Sequence, residues 1–270
     1  MRGSVTAAAV TGALALSALA VPAAQAAPTA RPAERPVIKK VVVNGGKPIV
    51  VGTKSRQKIA VSITASSPSG IADAYVFLWH GHIDEVDAVL GQDRARGACT
   101  VAPGDPTTST CKATITIDPR SGLGRNSLAG TWQAAGGAVA ATGDTSDESV
   151  NETAAPVRLQ RFSKLTVNAS PEPVRKGRTL TVTGKLTRAN WETFTYRGYS
   201  KQPVRLQFRK KGATKYTTVR TVTSSSTGTL KATVKAAADG YWRYSFAGTS
   251  TTPAVSAAGD YVDVKVTGKS

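Results

Sequence analysis

The only two histidines of this 270-residue chain stand in one tripeptide, His80-Gly81-His82, followed at once by Asp84, Glu85 and Asp87. On an extended strand an H-x-H pair turns both imidazoles to one side, and carboxylates beside them would suit a divalent metal. Gly81 and the acidic run that follows read instead as a strand ending in a solvated loop. A second acidic run, "DTSDESVNETAA" from Asp144, puts oxygen donors at positions 1, 3, 5 and 9 of a twelve-residue loop. Position 6 is Ser149 and position 12 is Ala155. The sharp turn and the bidentate ligand of an EF-hand are therefore both missing. No cofactor is called for. The metal alternative is a looser surface Ca²⁺ site in the first half of the chain, with Asp84, Glu85, Asp87, Asp144, Asp147 and Glu148 as its candidates.

Nothing else resembles reaction chemistry, and the chain is not expected to be an enzyme. There is no G-x-S-x-G nucleophile elbow and no phosphate-cradling glycine loop. A glycosidase needs two carboxylates across a cleft, and the acids of this chain are scattered or gathered in loops. Cys99 and Cys111, the only cysteines, bound "CTVAPGDPTTSTC". In an oxidising compartment such a pair closes a small disulfide loop.

The stretch most suggestive of binding is "RANWETFTYRGYSKQ", residues 188–202. It interleaves Trp191, Phe194, Tyr196 and Tyr199 with Arg188, Arg197 and Lys201. Rings beside cations can hold sugar or single-stranded nucleic acid, or line a loop folded back on its own domain. Trp191, with Phe194, is expected to cap the open end of its own domain's core, leaving Tyr196, Arg197 and Tyr199 outward. Further cations follow at Arg205, Arg209, Lys210, Lys211 and Lys215. Residues 156–270 carry 21 Lys+Arg against 5 Asp+Glu, a net of +16 out of +18 for the whole chain. Arg205 and Arg209, like Lys231 and Lys235, fall on the polar phase of alternating strands, so one basic sheet face is expected. Such a face attracts polyanions; it also discourages edge-to-edge pairing.

The elements that position these residues are strands. Residues 1–26 read as a cleaved signal peptide: Arg2, then "VTAAAVTGALALSALAV", then a small-x-small site ending at Ala26. The apolar part is shorter than the ~20 residues of a spanning helix, and membrane insertion is not expected. Residues 27–36 are an Ala/Pro-rich leader. Two domains follow, 37–162 and 163–270. The first carries "VIKKVVV", "PIVVG", "KIAVSITAS", "AYVFLWH", "CKATITI", "GTWQAAGGAVA" and "VRLQRF", with a long loop between Trp79 and Cys99 and a polar stretch at 141–155. The second carries seven regular runs: "KLTVNA", "TLTVTGKL", "VRLQFRK", "YTTVRTV", "TLKATVKA", "YWRYSFAG" and "YVDVKVT". Period-two alternation gives each sheet one buried face. The expected fold is all-β, two tandem immunoglobulin-like antiparallel sandwiches. On this reading 188–202 is a long loop between the second and third strands of the second domain.

The second domain also resembles a family. "SKLTVNASPEPVRKGRTLTVTGKLTRANW", "QPVRLQFRKKGATKYTTVRTV" and "DGYWRYSFAGTSTTPAVSAAGDYVDVKV" are similar to the secreted Ig-like β-sandwich proteins of actinobacteria, some of them described as calcium-binding. The resemblance implies fold and export. It implies no calcium ligands, because no calcium motif stands in the matching residues. The combined expectation is a secreted, cell-wall-associated binding or adhesion module for an anionic wall polymer or acidic polysaccharide. A ligand-free structural spacer and an extracellular Ca²⁺-binding protein are its alternatives. Nucleic acid is not expected as a partner, since no nucleic-acid-binding fold signature appears.

Overall fold

β-branched and polar residues alternate through most of the chain, and the computed structural model resolves that alternation into four sheet faces. It describes residues 35–93, 97–142 and 146–266. The signal-peptide segment, almost all of the leader, and Asp144 lie outside the described residues.

The first sandwich is built from β1 (Val37–Val43), β2 (Ile49–Val51), β3 (Gln57–Ser66), β4 (Ile71–His82), β5 (Glu85–Gly91), β6 (Ala98–Ala102), β7 (Asp105–Ile117), β8 (Gly130–Ala140) and β9 (Glu148–Arg161). One sheet has the order β1-β3-β7-β6 and the other β2-β9-β8-β4-β5. All pairs are antiparallel except β2 with β9. This is an immunoglobulin-like order, with A, B, E and D in one sheet and G, F, C and C′ in the other. Burial follows the pleat: in β3, Ile59, Val61, Ile63 and Ala65 are buried while the residues between them are not. The Cys99–Cys111 disulfide is formed. It joins directly opposed residues of β6 and β7 at the sheet edge, so the space between the sheets is filled by Trp132, Leu78, Ile115 and Leu159 without a bridge.

One expectation for this half is corrected. The long loop after Trp79 is instead the end of β4, the hairpin strand β5 and the start of β6; it escaped notice because all of β5 is exposed or half-buried except Leu90. The polar stretch at 141–155 is already strand from Glu148 onward.

The second sandwich comprises β10 (Ser163–Leu165), β11 (Asn168–Ser170), β12 (Val174–Arg175), β13 (Thr179–Asn190), β14 (Thr195–Gly198), β15 (Pro203–Lys210), β16 (Thr217–Thr223), β17 (Thr229–Lys235), β18 (Gly240–Phe246), β19 (Val255–Ser256), β20 (Asp260–Val262) and β21 (Val264–Lys265). β10 and β11 pair with β13, which pairs in turn with β17 and β14. Facing them, the order β16-β15-β18 continues into β19 and β20, and β12 runs parallel to β21. The order is again immunoglobulin-like, with C′ beside C. Leu180, Val182, Leu186, Val204, Leu206, Leu230 and Tyr244 are fully buried between the sheets. Tyr244 pins one sheet to the other, donating its hydroxyl to the Val182 carbonyl at 2.9 Å.

This topology corrects the single basic face. β15 and β17 belong to opposite sheets, so Arg205 and Arg209 face solvent on one side of the sandwich and Lys231 and Lys235 on the other. Alternation settles whether a residue points in or out; it says nothing of which sheet carries the strand.

Two measurements bear on this architecture. Burial pushes the Tyr244 hydroxyl from 10.0 up to about 12. Burial, aided by its hydrogen bond to Glu148, does the same to Tyr75. Both raised values favour the protonated folded state, so this stabilisation is complete below the unfolded value of 10.0 and is lost as pH climbs through about 12. Tyrosinate absorbance should show these two phenols ionising last, together with unfolding, and Tyr244→Phe should remove one of the late steps. Replacing both cysteines by Ala opens only an edge hairpin. It should cost on the order of 2–3 kcal/mol in urea unfolding, the loop-closure value for so short a loop.

Candidate functional site

Much of the 188–202 stretch is strand rather than loop. β13 runs on to Asn190, turns, and returns as β14, pairing Arg188 with Arg197 and Ala189 with Tyr196. The turn drives Trp191 out of its own sandwich. Its side chain is fully buried, but among the core residues of the first sandwich. The indole N–H donates to the Gly52 carbonyl at 3.0 Å, and the Trp191 amide to Asn126 Oδ1 at 3.0 Å. Asn126 in turn donates its amide to Glu192 at 3.1 Å. Tyr196 packs on the same core, with Phe162 edge-on at 6.3 Å and the Lys164 ammonium 3.8 Å from its ring centroid. A side chain at Gly52 would crowd the Tyr196 hydroxyl, 3.1 Å from an added Cβ. The expectation that Trp191 caps its own core is thus corrected, as is the outward placing of Tyr199. Tyr199 is buried beneath Arg188, whose guanidinium lies 3.8 Å over its ring.

The chain crosses between sandwiches through one residue, Phe162, between β9 and β10. Polar groups close the junction. The buried Arg161 donates Nε to the Ala189 carbonyl at 2.6 Å, and Gln160 donates to the Thr249 carbonyl at 3.0 Å. Burial, and after it the nearby Arg188 cation, hold Arg161 down to about 10, which leaves it charged at neutral pH.

The metal candidates that lie among the described residues do not converge. His80 Nδ1 binds Asp87 Oδ1 at 2.7 Å and its ring leans on Trp132 at 5.3 Å. Asp87 also meets Arg125 at 3.7 Å. A bulge between His80 and Gly81 breaks the strand register, and His82 pairs separately with Asp84 at 3.3 Å in solvent. Glu85 is exposed. Glu148 accepts the Tyr75 hydroxyl, and Asp147 is buried with its carbonyl accepting from Ala140. Among the described residues no three His, Cys, Asp or Glu side chains gather as a metal group.

The predicted cations divide along β15. Arg197 and Lys201 are exposed at the junction end; Lys210, Lys211 and Lys215 are exposed around the opposite turn, roughly 25–30 Å away at strand rise. Between them Arg205 and Arg209 stand outward. There the structure sets Arg209 and Lys211 beside Tyr216, Tyr241, Arg243 and Tyr261, which the sequence reading did not single out. Arg209 opposes Tyr241, Gln207 opposes Arg243, and Tyr241 opposes Tyr261. The Arg243 guanidinium lies 3.8 Å over Tyr216, and Arg209 lies 4.2 Å from Tyr241 and 5.2 Å from Tyr216. Tyr241 and Tyr261 sit 5.1 Å apart, and Lys211 closes the row 5.8 Å from Tyr261. This is a ladder of rings and cations across β15, β18 and β20, with Tyr216 just before β16. Gly259 makes room for it, because a Cβ there would collide with the Tyr216 hydroxyl. The signal in the sequence was one of phase: in "YWRYSF", Trp242 and Tyr244 are buried while Tyr241 and Arg243 fall on the wet side.

No family model matches the chain, and no curated protein is similar to it. Similar solved structures include the full ectodomain of mouse nectin-like molecule 4, at 14% identity and a TM-score of 0.26, over 88% of this chain and only 66% of that one. They also include the teleost fish polymeric Ig receptor ectodomain, at 13% identity and 0.27 over 86% and 100%. A third is the tandem Ig repeats of Dlar, at 14% and 0.24 over 87% and 100%. Likeness at this level carries no functional weight, and the immunoglobulin-like assignment rests on strand order. No helix among the described residues is long and apolar enough to cross a membrane.

The junction yields a direct expectation. Trp191→Ala removes a buried indole from one sandwich by a change in the other, at about 3–5 kcal/mol for a Trp→Ala core truncation. Calorimetry should show the first sandwich lowered in Tm; a second sandwich lowered alone would contradict the placement.

Proposed function

We propose that this protein is a secreted, non-enzymatic binding protein that attaches through its second sandwich to an anionic extracellular polymer, wall teichoic acid or an acidic polysaccharide. The observation that carries this reading is the charge of that sandwich, 19 Lys+Arg against 5 Asp+Glu over residues 163–270. Arg205, Lys210, Lys211 and Lys215 are exposed on or beside one sheet, and Lys231 and Lys235 on the other. β15, β16 and β18 contain no Asp or Glu at all. A surface of one sign raises the local concentration of a polyanion and speeds its capture. The ladder adds cations held in fixed places.

Binding of the full chain to immobilised anionic polymer, titrated in salt, tests the proposal. Affinity should fall on the order of tenfold or more between about 0.05 and 0.3 M salt, as the Debye length shortens, and neutral dextran should not be retained. No binding at low salt would contradict it, as would affinity indifferent to salt; either result leaves a ligand-free spacer.

A further inference from the structure

We infer that the tyrosine–arginine ladder of the second sandwich is a recognition site for a carboxylate-bearing acidic polysaccharide. The inference rests on the polymer-attachment reading and narrows it to one surface and one ligand chemistry.

The rings cannot be the primary contacts. Tyr216 and Tyr241 each carry a guanidinium on one face, at 3.8 and 4.2 Å, which removes that face from stacking against a base. The arginines are the working groups, and each is fixed twice. Arg209 is stacked and donates one Nη to the Ala213 carbonyl at 2.8 Å; Arg243 is stacked and donates Nε to Gln207 Oε1 at 2.9 Å. Among the described residues no other N–H of the two forks has a protein partner, and these remain for a ligand. Forks held in this way lose little freedom on binding.

The fork selects an oxyanion, and the tyrosines select its carrier. A planar guanidinium meets a carboxylate or a phosphate through two parallel hydrogen bonds, whereas lysine meets either as a point charge; the tyrosine hydroxyls beside the forks suit the hydroxyl-bearing rings of a uronate chain, which poly(glycerol phosphate) lacks. The centre of the ladder is arginine, and its lysine, Lys211, stands at the end. Register selects a chain over a single ion. Arg205 opposes Ser245 and Gln207 opposes Arg243, so Arg243 is the diagonal neighbour of both Arg205 and Arg209. Such diagonals separate Cβ atoms by about 7–8 Å. The three forks therefore zigzag over roughly 14 Å of strand, a repeat suited to successive anions on one polymer. The hydroxyls of Tyr216, Tyr241 and Tyr261 make no protein hydrogen bond among the described residues, so they are left to pair with sugar hydroxyls lying between carboxylates.

The test uses the full chain, with polygalacturonate and a poly(glycerol phosphate) of matched charge as probes. Arg209→Lys/Arg243→Lys keeps the net charge and removes the two stacked forks, leaving Arg205. Lys231→Gln/Lys235→Gln alters the opposite sheet and controls for bulk charge. The wild type should bind polygalacturonate more tightly than poly(glycerol phosphate). The double lysine variant should lose about tenfold on polygalacturonate, the scale of two lost bidentate contacts; the opposite-face variant should weaken both probes equally and by less. Equal affinity for the two probes, with no loss in the lysine variant, would overturn the ladder as a recognition site and leave polymer attachment standing. Preference for poly(glycerol phosphate) would overturn the carboxylate assignment. Failure to bind either probe would remove the attachment reading and this one together.

Discussion

The insertion of Trp191 from the second sandwich into the core of the first is the contact on which the arrangement of the two sandwiches depends. A buried Trp removed from a core costs about 3–5 kcal/mol, a large share of the 5–15 kcal/mol by which a whole domain is typically stable. The indole also has its N–H satisfied by the Gly52 carbonyl, so its burial leaves no unpaired donor. Arg161 adds a buried cation whose Nε is taken by a carbonyl of the neighbouring sandwich. Only Phe162 separates the last strand of one from the first strand of the other. Tandem sandwiches joined in this way belong to one compact unit.

The proposed attachment divides labour on the second sandwich between charge at long range and geometry at contact. Exposed lysines steer and concentrate a polyanion, but each single ion pair in solvent adds little, about 0–1 kcal/mol, and salt erodes it. Stacked arginines differ. Cation–π contact at an exposed site contributes about 0.5–1 kcal/mol per pair toward holding the guanidinium still, so the ordering cost is met in the folded protein before any ligand arrives. Selectivity among anions is then expected to lie in the ladder and capture rate in the surrounding charge.

Much of the fold was legible in the residues. Val204, Leu206 and Phe208, or Ile59, Val61 and Ile63, state an inward phase by type and spacing, and Cys99 with Cys111 states a small closed loop. Sheet membership was not legible, because Lys231 and Arg205 obey the same local rule from opposite sheets. Nor was the destination of Trp191: a long strand ending in a turn looks the same whether its aromatic folds back or enters a neighbouring core. The ladder was hidden for a third reason. Tyr216, Tyr241 and Tyr261 lie in three separate runs, and only cross-strand register brings them beside Arg209 and Arg243. "RANWETFTYRGYSKQ" gathers its aromatics in sequence, and there the structure uses Trp191 and Tyr196 for the junction.

The central claim, that this ladder is where the polymer lies, is tested most directly by isotope-labelled full chain titrated with a short oligogalacturonate and followed by NMR. The account predicts that the Arg209 and Arg243 guanidinium N–H signals and the ring signals of Tyr216, Tyr241 and Tyr261 move first and together, while Lys231 and Lys235 stay in place. Shifts spread evenly over both sheets, or centred on Tyr196 and Phe162 at the junction, would contradict it.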